Sequence, residues 1–215
     1  MDFLAILTIT CGGLAILCLL ALHWVSPEFQ PSWRMISEYA MGKNKSLLTA
    51  FFYLWGACSI LSSMLLWNVV GSIWASIGLI LLFISGIGAI MGGLFDIKHP
   101  KHGLSFMLGV PTLPLATLLI GYHLLSLEAW SSYRGVLVLS SHAPWVALVL
   151  MAGAMALLFS GFKKAGYPMG PDVEPPEKLP EGVIPLAGYA NRLLVLCYII
   201  WPVLVAMIAM SLEHA

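Results

Sequence analysis

The sequence predicts an all-α membrane protein, a six-transmembrane-helix bundle, and three observations carry that expectation. Only 9% of the 215 residues are charged and 60% are hydrophobic, against roughly 25% charged in a soluble domain. A soluble protein of this size has too much surface to hide so many apolar side chains from water. Charge-free stretches also recur at lengths that cross a hydrocarbon layer of ~30 Å, which takes about 20 residues. Finally, the basic residues crowd into alternate loops. Residues 1–215 therefore read as one transmembrane domain.

Phe3 to Pro27 is the first charge-free stretch, read as a helix over 3–25. It lacks the basic flank of a signal peptide and is too long for one, so it reads as a retained helix. Ser46 to Phe95 follows, 50 residues without a charge. As one helix it would run ~75 Å at ~1.5 Å per residue, more than twice the hydrocarbon thickness. It must turn, and Trp67 to Trp74, "WNVVGSIW", is the place: Asn and Gly break the run between two interfacial tryptophans. That makes helices over 47–67 and 72–95. A fourth is expected over 104–127 with Pro111 and Pro114 near its start, a fifth over 135–162 with Pro144 early in it, and a sixth over 190–212. Between the last two, 166–185 holds six prolines in 20 residues, and reads as an extended cytoplasmic loop.

Six helices place successive loops on alternate faces. One face carries Arg34, Lys43, Lys45, Lys98, Lys101, Lys163, Lys164, Lys178 and Arg192, nine of the ten basic residues, and only Arg134 lies on the other. The excess marks the cytoplasmic side, so the chain is expected to be a multi-pass protein of the inner (plasma) membrane with both termini outside. Trp24 falls at the inner interface, and Trp67, Trp74 and Trp130 at the outer one. Zero formal net charge leaves no basic surface for nucleic acid. Cys11, Cys18, Cys58 and Cys197 all sit in apolar runs without paired spacing, as small buried hydrophobes do.

Polar chemistry gathers at the inner ends of helices. "GLFDIKHPKHG", Gly93 to Gly103, sets Asp96, His99 and His102 three residues apart. These are candidate zinc ligands, with His23 or Glu38 available from neighbouring helix ends. Pro100 interrupts any single helix through them, and the same segment reads equally as a positively charged loop with a locally paired Asp96. Lys98 and Lys101 would then meet lipid headgroups or phosphate. On the outer side His123 and His142 form a candidate axial pair for haem, although each is also placed to meet water. No cofactor is favoured. Gly88 and Gly92, with Ser85, Ala89 and Gly93 in step, allow a close helix contact, within the bundle or in a homo-oligomer. No charged residue falls mid-membrane, which removes the usual mark of an ion path.

Trp33 to Gly42, "WRMISEYAMG", carries a resemblance when taken with Gly93-Leu94-Phe95-Asp96, His102-Gly103 and Asn191-Arg192. In this order the motifs resemble domain-of-unknown-function family 998, prokaryotic integral membrane proteins. The resemblance covers nearly the whole chain. It implies six spans and an inner-face polar cluster, and it brings no established activity. Phe106 stands where that family often has a second histidine, and Asn191 where it has an acidic residue. The proposed cluster comprises Arg34, Ser37, Glu38, Asp96, His102 and Arg192, either clamping the helices through ion pairs or lining a pocket for a headgroup or small anion. The function expected first is a non-enzymatic one, binding membrane lipid or a small amphiphile or serving as an accessory subunit. The alternatives are a membrane-embedded, metal-assisted lipid hydrolase with Glu38 as general acid–base, and a small-solute transporter. The charge count has a direct check: a reporter active only in the cytosol, fused at the C-terminus, is expected to stay silent, and activity there reverses the orientation.

Overall fold

The computed structural model describes residues 2–168, 170, 173 and 176–214, and among them there is no strand. The helices are α1 (Asp2–Val25), α2 (Lys45–Leu66), α3 (Ile73–Leu94), α4 (His102–Gly109), α5 (Thr112–Ser126), α6 (Arg134–Lys164) and α7 (Ala187–Glu213). Short 3-10 turns cover Ile36–Met41 and Glu128–Tyr133. Six helical stretches are long and apolar enough to cross a membrane, with α4 and α5 together making the fourth. The expected 166–185 loop falls partly on Met169, Pro171, Asp172, Glu174 and Pro175, which lie outside the described residues.

Each span packs on the one before and after it, across short connections in the middle of the chain and long ones before α2 and α7. α7 closes the ring by returning to α1, while α2 also touches α7 across the middle. Trp201, Tyr198, Tyr39 and Phe51 are the largest side chains of the sealed interior. Outward faces stay apolar, as a lipid solvent allows. Asp2 and His214 meet at 3.2 Å, so the two chain ends share one face of the bundle. Trp24, Trp67 and Trp74 are exposed at helix ends, whereas Trp130, in the turn between α5 and α6, is only 3% exposed and packs into the core.

The single helix expected over 104–127 is broken. Pro111 and Pro114 cannot donate to the carbonyls one turn back, so the ladder fails between α4 and α5. Val110, which Pro114 would have served, receives the Tyr198 hydroxyl at 2.6 Å instead. Its neighbour Gly109 receives the Ser85 hydroxyl at 2.8 Å. Tyr198 of α7 thus supplies the donor that Pro114 lacks, and Ser85 of α3 serves a second carbonyl left open where the helix breaks, as backbone in lipid requires. Pro114 itself sits in the first turn of α5, where no donor is needed. The turn at 67–72 forms where expected, with the Ser72 hydroxyl capping α3 by accepting from the Ala75 amide at 3.2 Å.

The glycines of α3 are used within the chain. A Cβ on Gly88 would lie 2.3 Å from the Gly109 amide nitrogen, and one on Gly92 3.3 Å from the Phe52 ring. Both positions proposed for a homo-oligomer contact are therefore filled by α4 and α2. Gly88→Ala is expected to lower the thermal midpoint of the purified protein, since the neighbour is backbone and cannot yield; the overpacking cost is about 1–3 kcal/mol. Gly153→Ala, where nothing lies within 4 Å, should leave the midpoint unchanged or slightly raised.

Candidate functional site

The chain between α1 and α2 folds back onto the start of α7, and glycine makes the approach possible. A Cβ at Gly188 would lie 2.4 Å from the Pro31 carbonyl oxygen and 2.7 Å from that of Arg34. With only hydrogen there, the Gly188 amide donates to the Ser32 carbonyl at 3.0 Å. One turn further, the Asn191 side-chain oxygen accepts from the Ile36 amide at 2.9 Å. Asn44 ties the other end of the loop, donating to the Val25 carbonyl and the Ser26 hydroxyl, each at 2.9 Å.

Arg192 lies in the middle of this joint and is only 8% exposed. Its Nη1 donates to the carbonyls of Arg34 at 2.7 Å and Gly188 at 3.0 Å. Nη2 donates to the Tyr39 hydroxyl at 3.2 Å, and Nε to His23 Nε2 at 2.6 Å. His23 Nδ1 lies 2.6 Å from the Leu19 carbonyl, which can only accept, so that nitrogen carries the hydrogen. Nε2 then keeps its lone pair for Arg192, and the imidazole is held neutral in one tautomer. A guanidinium bound wholly to dipoles is stable here because each bond is charge-assisted, worth ~1.5–3 kcal/mol.

Arg34 and Glu38 form the second charged element. Arg34 Nη1 donates to Glu38 Oε2 at 3.0 Å, with both side chains 9% exposed. The guanidinium lies 4.3 Å from the centre of the Trp33 ring, and its Nε has no partner among the described residues. Burial pushes the Glu38 carboxyl above its ordinary range, with Arg34 acting in opposition. The folded state then holds this proton more tightly than the unfolded one, so Glu38 makes stability fall as pH rises through the acid range.

Of the six residues proposed as a cluster, Arg34, Ser37, Glu38 and Arg192 lie in this joint. His102 is near it, donating from Nδ1 to the Phe95 carbonyl at 2.9 Å and sharing a cavity wall with Ser37 and Asn191. Asp96 stands apart. Its Oδ2 accepts from Lys45 at 2.6 Å, tying α2 to the end of α3, and its Oδ1 accepts from the Lys98 amide at 3.1 Å. The Lys45 hydrogen bond holds its carboxyl below the usual range. Among the described residues no arginine bridges Glu38 to Asp96.

Nor do Asp96, His99 and His102 converge. His99 stacks on Phe95 at 4.5 Å and accepts from the Lys101 amide at 3.1 Å. Among the described residues no three His, Cys, Asp or Glu side chains are grouped as metal ligands. The outer histidines also take separate partners: His123 accepts from the Gly71 amide at 3.2 Å, and His142 pairs with the Tyr122 hydroxyl at 3.1 Å. Sequence reasoning missed Tyr39 and Trp33 as members of the joint. The signal was an aromatic on each side of Arg34 and Glu38 in "WRMISEYAMG".

Two cavities border the 3-10 turn. One, about 260 Å³, has walls from Met155, Leu158, Phe159 and Phe162 of α6, with Trp33 and Glu38 from the loop. The other, about 100 Å³, is bordered by Ile36 and Ser37 and by α2, α3, α4 and α7.

Six apolar spans, with a loop clamped by buried arginines at one face, define a polytopic helical membrane protein. The chain belongs to the family described as protein of unknown function (DUF998), which it matches over residues 9–208, a span that includes every residue of the joint. No curated protein and no solved structure matches it. Arg34→Ala is expected to destabilise the protein by about 3–5 kcal/mol, because it leaves the Glu38 carboxylate buried and unpaired. The double replacement Arg34→Met with Glu38→Leu should recover most of that loss, as read from thermal midpoints.

Proposed function

We propose that the protein is a non-enzymatic binder of lipid or of a small amphiphile at this face. One observation carries the reading: the 260 Å³ cavity has mainly apolar walls, and among the described residues Glu38, paired with Arg34, is the carboxylate that borders it. An amphiphile needs both features, an apolar wall for its chain and a fixed polar group for its head. Phe159 is 43% exposed and Leu158 4% exposed, so the wall runs from the lipid-facing surface of α6 toward the interior. A ligand can therefore enter sideways from the bilayer. The nine-to-one distribution of basic residues supports assigning this face to the cytoplasm and the chain to a plasma membrane.

Trp33 borders the cavity and gives a direct test. Titration with a brominated single-chain amphiphile is expected to quench part of the tryptophan fluorescence saturably. That component should vanish in Trp33→Phe, and Leu158→Phe, which fills the cavity, should weaken the apparent affinity at least about tenfold, equivalent to ~1.4 kcal/mol. Linear, unsaturated quenching that is the same in all three proteins would sink the proposal.

A further inference from the structure

The smaller cavity has a different chemistry from the amphiphile groove and stands independently of it. Its volume is about 100 Å³, room for several waters or one small solute. Among the described residues that line it there is no Lys, Arg, Asp or Glu, so it offers neither a cation nor a carboxylate to a charged guest. Its polar lining comprises Ser37, Trp55, His102, Ser105 and Asn191.

Two of these groups specify the guest. Trp55 is 4% exposed, and its indole N–H has no partner among the described residues. An indole nitrogen only donates, so it requires an acceptor. His102 already donates through Nδ1 to the Phe95 carbonyl, so with a single ring hydrogen its Nε2 is available as an acceptor. Asn191 uses its oxygen on the Ile36 amide, leaving the NH2 group as a further donor. Ser59 and Ser62 continue the Trp55 face of α2 by four and seven residues, and their buried hydroxyls also have no partner among the described residues. A helical serine can turn onto the carbonyl one turn back; an indole has no such recourse, so Trp55 carries the argument.

We propose that this cavity is a binding site for a compact, uncharged molecule that both donates and accepts hydrogen bonds, either water or a small hydroxylic solute. The occupant bridges Trp55 Nε1 to the His102 side and completes the hydrogen bonding of a bundle interior that lipid cannot serve.

The indole signals of the protein in lipid nanodiscs, labelled with ¹⁵N at tryptophan, test this. The Trp55 resonance is assigned from Trp55→Phe or, if that variant fails to fold, by elimination through Phe replacements at the other seven tryptophans. Magnetisation transfer from water to the Trp55 indole, with no response to added glycerol, identifies water as the occupant. A saturable shift of that one signal with glycerol identifies a hydroxylic solute. An indole that shows neither, and keeps its proton unexchanged for days in deuterated water, overturns the site.

Discussion

Arg192 presents a full positive charge near the start of a membrane-spanning helix, and the bonds it makes run to neutral groups. Two carbonyls, a phenol and an imidazole surround it. That arrangement holds only while the loop between α1 and α2 lies against α7, because the loop supplies the Arg34 carbonyl and Tyr39. The dependence is mutual. Without Arg192 and Asn191, the loop would have to satisfy the Arg34 carbonyl and the Ile36 amide elsewhere in a setting where water is scarce. Both cavities take walls from this loop, so their shape follows from the same joint.

The break between α4 and α5 shows the same economy of polar groups. Pro114 has no N–H for the Val110 carbonyl, which Tyr198 serves instead, and Ser85 bonds the neighbouring Gly109 carbonyl where the helix breaks. The close passage of Gly88 against Gly109 brings α3 near enough for Ser85 to reach. Tyr198 sits on α7, two turns beyond Arg192, so one helix both clamps the loop and mends the broken span. Its interior side chains link the two irregular regions of the bundle, and the smaller cavity lies between them.

The spans were legible because a charge-free run of fixed length has few alternatives in lipid. Trp67 to Trp74 turned where length demanded it, and the ends of the helices moved by only a few residues. The interruption at Pro111 was less legible, since a proline near a helix start is equally at home in a continuous span; what decides it is whether neighbours can serve the freed carbonyls. Arg34, Glu38 and Arg192 were legible as a group because charges at helix ends must find partners. Which partners they would find was not. Asp96 goes to Lys45 and leaves the arginines to carbonyls and Glu38, a choice set by helix packing that no local pattern encodes. Trp55 and Trp33 were indistinguishable in sequence from any other apolar aromatic.

The joint also has a timetable. Asn191 and Ile36 are 155 residues apart, and Arg192 and His23 are 169 apart. At about 5–20 residues per second of synthesis, the loop leaves the ribosome some 8–30 s before the helix that receives it. During that interval Arg34 and Glu38 have only each other, and the Ile36 amide and Arg34 carbonyl must remain hydrated at the bilayer surface. The arrival of α7 closes the ring of spans and packs the loop against Gly188, Asn191 and Arg192 in the same event.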